Sequence, residues 1–316
     1  MLINFLFAAI KAGTPLLLGT TGEIITEKSG HLNLGVEGMM FMGAFMGFSV
    51  GYHTESLPLA LLAAFGIGAF AALIYALLTV TFQANQNVTG LTLTIFGTGF
   101  AKFFGEKMVS EAGGSPKLSD HFMKTIAERP LPVLGEIPVI GKLIFSHNPI
   151  VYLAIIIAII CSLYLFRTKA GLNMRSVGEN PAAADAAGIN VTLVKYVNIC
   201  IGGGICGLGG AYLSLINGGG VWNNSSVVSG QGWIAVALVI FASWSPAKAI
   251  FGSLIFGAFS VLQFYVPKDI ITIPNAFYGM LPFLITTIVL VITSMRKSKK
   301  GTQPASCGVN YFREER

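Results

Sequence analysis

Charge is what this chain has least of. It carries 20 basic and 14 acidic residues among 316, or 11%, where a soluble domain carries about 25%. Between Gly38 and Ala101 the sole charge is Glu55, and Tyr196–Ala247 has none. Too few charges remain to coat a water-soluble body, a coiled coil or a disordered chain. Cysteine is scarce too. Cys161, Cys200, Cys206 and Cys307 show no C-x-x-C or Cys/His ligand spacing, which excludes a secreted disulfide scaffold and leaves no metal site to propose. His31, His53, His121 and His147 are scattered, and no paired carboxylates are expected within one apolar helix, so no catalytic constellation is read. Met1–Gly19 lacks the basic start and small-residue cleavage site of a signal peptide and runs on as a first span. The net charge of +6 is not gathered on a soluble face, which argues against a nucleic-acid partner.

Apolar sequence is what fills the space. The chain is 53% hydrophobic with 38 glycines and 23 phenylalanines, at a mean hydropathy of +0.72. With roughly 20 apolar residues needed per crossing, these numbers predict an all-α, polytopic transmembrane helical bundle of about eight to ten spans, surrounded by membrane lipid. Spans are expected at Ile3–Thr21, Leu34–Tyr52, Leu57–Phe82, Val88–Phe104, Pro149–Phe166, Tyr196–Ile216, Gly230–Ser243, Ala247–Val266 and Pro274–Met295. Gly230–Ser243 is short enough to be a half-helix shielded by protein. Residues 1–295 form the transmembrane domain, with an extracytoplasmic loop at about 105–148 and a second loop at about 167–195. Residues 296–316 are expected to be a disordered tail.

Orientation follows from the basic segments. Arg167–Lys195 has four bases against two acids, and Arg296–Lys300 is a second cluster, so both read as cytoplasmic. Nine spans then put the N-terminus outside, whereas a tenth, split helix would put it inside. Pro58–Phe70 resembles Pro246–Phe259, each with Gly-Ala-Phe ten or eleven residues after a proline. Such repeats are common in transporters, although abundant Gly, Ala and Phe could match by chance.

Two strings imitate nucleotide motifs without their context. Gly202–Gly207 fits G-x-G-x-x-G, but no strand precedes it, and Gly203, Gly207 and Ala211 read as a small-residue packing seam. Gly135–Leu143 has one residue too many for a P-loop and no hydroxyl after Lys142. Any ATP must therefore be bound by another chain.

Three polar features remain. Asn33-Leu-Gly-Val-Glu-Gly38 opens a span, and its Glu37 must face protein or water, either along a solute path or as a structural latch. Gln83–Thr94 is dense in amides and hydroxyls without formal charge, which suits a neutral solute as well as it suits a capped turn. Asn85, Asn87, Thr89 and Thr92 are its path candidates. Finally, Asn180 and Pro181 start a short Ala-rich helix that Gly188 ends, a compact surface for a cytosolic partner.

These residues resemble the permease subunits of ABC importers for nucleosides and simple sugars, in the branch that works with basic-membrane-protein-type binding lipoproteins. The resemblance rests on Thr14–Glu23, Ser29–Ala44, Asn87–Ile95, Thr168–Gly188, Gly230–Ala237, Trp244–Pro246 and Gly252–Phe259. It implies a pathway shared with a second permease chain, a heterodimer, and a cytosolic ATPase pair that holds ATP and magnesium and docks on Arg175–Gly188. It also implies a solute-binding lipoprotein outside the cytoplasmic membrane. Gly171, Arg175, Gly178, Glu179, Asn180 and Gly188 would serve coupling to the ATPase. Ribose-type relatives tend to carry Asp-Leu-Ser-Val-Gly where this chain has Asn33–Gly38. That departure favours nucleosides over ribose, with galactofuranose-like sugars as the alternative.

Overall fold

The computed structural model describes residues 1–130, 135, 137, 139–223, 227–262, 264–265, 275–295 and 302–313. Among them are thirteen α-helices: α1 (Leu2–Lys28), α2 (Val36–Thr54), α3 (Leu57–Ala76), α4 (Gln86–Glu111), α5 (Asp120–Thr125), α6 (Ile140–Ile144), α7 (Pro149–Arg167), α8 (Lys169–Glu179), α9 (Pro181–Ala186), α10 (Val191–Tyr212), α11 (Gln231–Phe241), α12 (Pro246–Leu262) and α13 (Asn275–Met295). A π-helical turn extends α3 over Leu77–Thr81 and another extends α10 over Leu213–Asn217. All nine expected spans meet a helix. Four segments are long and apolar enough to cross a bilayer by length and composition: Leu2–Lys28, Leu57–Thr81, Pro149–Arg167 and Val191–Asn217.

Local chemistry sets many of the boundaries. Prolines stand in the first turns of α3, α7 and α9 and open α12, where a missing N–H costs nothing. Asn85, Asn148, Asn180 and Asn190 each accept a backbone N–H at the start of the helix that follows, the usual N-cap service. The outer faces keep Leu62, Phe70, Ile95, Phe103, Ile160 and Phe251 exposed, side chains that suit lipid.

The centre of the bundle is α1 crossing α10. A Cβ on Gly22 would stand 2.3 Å from the Gly202 carbonyl oxygen, so the two backbones nearly touch. The expected seam on α10 is present: Gly203 packs on Ala72, Gly207 on Gly43 and Ala64, and Ala211 on Gly47. With little hydrophobic drive between helices in lipid, such close approach is what holds them.

The repeat acquires a three-dimensional meaning here. α3 packs antiparallel on α10 through Gly68 and Gly203, and α12 packs antiparallel on α1 through Gly257 and Ala9. α2 runs parallel to α10, with Ser214 Oγ donating to the Ala44 carbonyl at 2.8 Å, and α11 runs parallel to α1, with Thr20 Oγ1 donating to the Ala235 carbonyl at 3.0 Å. The trio α1–α2–α3 and the trio α10–α11–α12 thus exchange partners, and α1 and α10 point in opposite directions. This is the arrangement of an inverted repeat.

Both ends of the bundle are identifiable. Lys142 and Tyr265 bond to Asn4, and Lys11 pairs with Glu128, so the N-terminus lies with the 112–148 loop, opposite α8 and α9. This is the nine-span alternative. Residues 302–313 lie at the α8–α9 end and pack there, contrary to the expectation of a disordered tail. Ser306 donates to the Gly178 carbonyl, Ala305 N–H reaches Glu179 at 3.3 Å, and Tyr311 and Arg313 hold Asp185 at 2.9 and 3.1 Å. Backbone carbonyls and two carboxylates, Glu179 and Asp185, fix this segment. The basic cluster Arg296–Lys300 lies outside the described residues, as do Glu136 and Pro138 of the P-loop-like string.

Candidate functional site

The basic loop folds as two consecutive helices, α8 and α9, where the sequence points to one. Thr168 caps α8 by accepting Gly171 N–H at 3.0 Å. Gly171 sits so close to α7 that a Cβ would lie 2.0 Å from the Tyr164 carbonyl, so only glycine permits the tight α7–α8 corner. Gly178 meets the end of α1 in the same way, 2.3 Å from the Lys28 carbonyl. Asn180 ends α8 and caps α9 through Ala183 N–H at 3.0 Å, and Gly188 closes α9 at φ +83°, a left-handed conformation that favours glycine. Arg175 lays its guanidinium over the Phe166 ring at 5.5 Å, with Nε buried and, among the described residues, without a hydrogen-bond partner. Glu179 and Asn180 are exposed. Glu179, Asn180 and Gly188 thus lie on the exposed side of α8 and α9, while buried Gly171 and Gly178 brace the pair against α7 and α1. Beside the two helices lies a cavity of about 600 Å³ bordered by Gln83, Asp185, Gly188, Asn190, Tyr311 and Arg313.

The six path candidates separate into two groups. Asn33 and Glu37 are buried where α1, α2 and α11 meet. Asn33 Oδ1 accepts Gly35 N–H at 2.8 Å, and its own N–H donates to Glu23 Oε1 at 3.0 Å. Glu37 accepts Gly230 N–H at 2.8 Å on one oxygen and Gly232 N–H at 2.6 Å on the other. α11 has 11 residues, about 16 Å or half of a bilayer core. Its free N–H groups and positive dipole end would lie within protein, and the Glu37 carboxylate satisfies both.

Asn85, Asn87, Thr89 and Thr92 lie elsewhere, at the α8–α9 end of α4. Asn85 caps the helix through Val88 N–H at 3.1 Å, and Thr89 and Thr92 return their hydroxyls to the Asn85 and Val88 carbonyls, both at 2.8 Å. Asn87 and Thr92 are exposed. The hydroxyls of this group bond within α4, but Gly90 between them packs on Leu34 and Gly35 and Gln86 accepts Leu32 N–H, so the group borders the segment that carries Asn33.

Sequence reading missed a third group. Because α1 continues to Lys28, beyond the expected end at Thr21, it contains Glu23 and Glu27 four residues apart and both buried. The expectation of no paired carboxylates within one helix is overturned. Glu27 accepts the Trp244 indole N–H, tying α1 to the turn between α11 and α12. His31 beside them is buried, and among the described residues neither ring nitrogen has a hydrogen-bond partner. Loss of water and the nearby Lys195 ammonium hold its imidazole well below the usual histidine range. The spacing Glu23-x-x-x-Glu27 next to an apolar span was the available signal, since i and i+4 share one helix face.

Buried polar anchors within an inverted bundle, with a braced two-helix surface at one end, define a membrane transport subunit that presents itself to another protein. Residues 5–290 match the family described as branched-chain amino acid transport system, permease component, and the chain belongs to that family. It is 37% identical to the guanosine ABC transporter permease protein NupQ of Bacillus subtilis, over 98% of this chain and 96% of the relative. It is 34% identical to the nucleoside ABC transporter permease protein NupC of Lactococcus lactis, over 96% and 94%. The glucose ABC transporter permease protein TsgB13 of Haloferax volcanii is 27% identical, over 86% of this chain and 74% of its own length. No solved structure matches.

Proposed function

We propose that this chain is the permease subunit of an ATP-driven importer that carries nucleosides across the cytoplasmic membrane. The observation that carries this reading is the near-full-length similarity to permeases named for guanosine and nucleosides, on a chain whose polar interior is built largely of neutral groups. A second permease chain completes the pathway. Cytosolic ATPase subunits, which hold ATP and magnesium, dock on α8 and α9 through Gly171, Arg175, Gly178, Glu179, Asn180 and Gly188. An extracytoplasmic binding lipoprotein delivers solute at the opposite end. Asn33, Glu37, Asn85, Asn87, Thr89 and Thr92 remain candidates for the path between them. The chain itself is a transport subunit without a catalytic role.

A simple sugar is the second reading, supported by the glucose permease relative. The deciding experiment is uptake of labelled guanosine and labelled glucose into membrane vesicles containing this chain and its partner subunits, with and without ATP inside. ATP-dependent guanosine uptake is expected. Uptake driven by a proton or sodium gradient without any ATPase would overturn the importer reading.

A further inference from the structure

At the end opposite α8 and α9, a cavity of about 420 Å³ opens between the π-helical end of α10 and the segment that leads into α11. Its volume falls within the range of about 300–1,000 Å³ typical of small-molecule sites. Among the described residues, the polar side chains that line it are Ser214, Asn217, Asn223, Ser229 and Gln231, and the rest of the described lining is Leu, Val and Gly. No ionisable side chain is among them. Such walls can exchange hydrogen bonds with hydroxyl and amide groups, whereas a bare ion would lose its hydration with no counter-charge in return.

The position of Gln231 is unusually well fixed. The N–H groups of its two neighbours, Gly230 and Gly232, both donate to the Glu37 carboxylate, so the backbone of Gln231 is held between two bonds to one side chain. Its Oε1 is shielded from solvent and, among the described residues, has no hydrogen-bond partner. A buried amide oxygen is normally paired, and because Gln231 also lines the cavity, a turn of its side-chain amide would present this acceptor to a solute. Asn217, on the rim, is exposed. It ends the π-helical turn of α10, a local widening found frequently at functional sites. The cavity also lies where the repeats meet, above the start of the half-helix α11. Ser214 spends its hydroxyl proton on the α2 and α10 carbonyls and contributes wall more than recognition.

We infer that this cavity is the outward-facing solute pocket of the transport path, resting on the importer reading above. It takes a neutral solute rich in hydroxyl and amide groups, the chemistry shared by a nucleoside and a sugar. Gln231 reads the solute, and Glu37 is a positioning residue that acts through the Gly230 and Gly232 backbone.

The test uses the assembled transporter in vesicles, with guanosine and glucose as probes. Asn217→Cys should be modified from outside by a membrane-impermeant maleimide, above the labelling of the unsubstituted chain, and guanosine should protect it. Gln231→Ala should raise KM for guanosine uptake about three- to tenfold, the loss of one hydrogen bond, with Gln231→Asn closer to the unsubstituted chain. Protection by glucose in place of guanosine keeps the pocket and assigns it to a sugar. Absent labelling, or labelling that neither solute changes while the unsubstituted transporter imports normally, overturns the pocket and leaves the importer reading intact. If the unsubstituted transporter imports neither solute, the importer reading fails and takes this inference with it.

Discussion

Two segments interrupt the inverted repeats, one at each end of the bundle, and they are built from opposite materials. Residues 218–223 and 227–230, between α10 and α11, border an open cavity whose described walls are neutral and polar. Residues 29–35, between α1 and α2, occupy the matching place at the α8–α9 end and are filled. Tyr75 donates to the Leu32 carbonyl at 2.7 Å, Gln86 accepts Leu32 N–H at 2.8 Å, and Glu23 accepts Asn33 N–H at 3.0 Å. Asn310 reaches Gln86 at 3.0 Å from residues 302–313. Residues 29–35 are thus closed by hydrogen bonds where their counterpart borders open space, although the α8–α9 end keeps its own cavity to the side, against Asp185 and Gly188. A pathway that opens to one side at a time requires such a difference. The seal is made of small polar contacts that a partner on α8 and α9 could exchange, with little apolar surface to separate.

The largest effect is expected where the two repeats meet. Glu37→Ala removes the acceptor of two buried N–H groups at the start of α11. At about 1–3 kcal/mol for each orphaned donor, the loss is about 2–6 kcal/mol, toward the lower end because Gly230 N–H is only part-buried. Thermal unfolding of the detergent-solubilised transporter should show it as the lowest melting temperature in the series, and a change within error would remove Glu37 as the anchor. Glu23→Ala and Glu27→Ala come next, each leaving one buried donor unpaired, Asn33 N–H or the Trp244 indole, at about 1–3 kcal/mol. Both should also speed hydrogen exchange of residues 29–35 without touching residues 218–230. Equal changes at both ends would break the comparison.

Deleting residues 302–316 tests the seal from its outer side. The Ser306–Gly178, Asn310–Gln86 and Tyr311–Asp185 bonds disappear, the first buried and the other two at partly exposed positions. The expected cost is about 1–2 kcal/mol, less than their number suggests, because water replaces several partners. Exchange should rise in α8 and in residues 29–35. If it does not, the terminal segment rests on the bundle without closing it.

His31 offers a smaller, pH-dependent readout at the same end. Its imidazole titrates well below the ordinary value of about 6.5 because burial and Lys195 oppose its charge. In the unfolded chain His31 takes up a proton near pH 6.5, while in the folded chain it stays neutral. Its contribution to stability is therefore complete above about pH 6.5 and is lost as the pH falls from there toward the folded value. Melting temperature measured between pH 7.5 and 5.5 should fall less steeply in His31→Gln.

What the sequence disclosed, and what it hid, follows from the kind of force at each position. Spans were legible because long apolar runs have one stable use in a bilayer, and α11 stood out as a half-helix from its length alone. The seam Gly203, Gly207 and Ala211 was legible from spacing. The last two turns of α1 were not, since Glu23 and Glu27 lower the hydropathy there and their partners, Asn33 and Trp244, are set by the fold. Residues 302–313 were hidden for a related reason. Single hydrogen bonds to backbone carbonyls such as that of Gly178 leave no periodic trace in either partner. Gln231 was quoted inside the motif Gly230–Ala237, but its role depends on two neighbouring N–H groups that point at Glu37.

The smallest effects are expected at the α4 group, and they decide whether the neutral run Gln83–Thr94 belongs to the path at all. The Thr92 hydroxyl is already bonded to the Val88 carbonyl within its own helix, and the Asn87 side chain is exposed. Removing either polar group orphans no buried partner, so Thr92→Val and Asn87→Ala should each change stability by less than about 0.5 kcal/mol. On an outward pocket at α10, guanosine uptake by both variants should also stay within about twofold of the unsubstituted transporter, a change too small for a lost solute contact. A larger loss of uptake with unchanged melting temperature would mean that the solute meets α4 on its way to the α8–α9 end. The pathway would then cross from the second repeat to the first, and the sealed segment at residues 29–35 would be its exit.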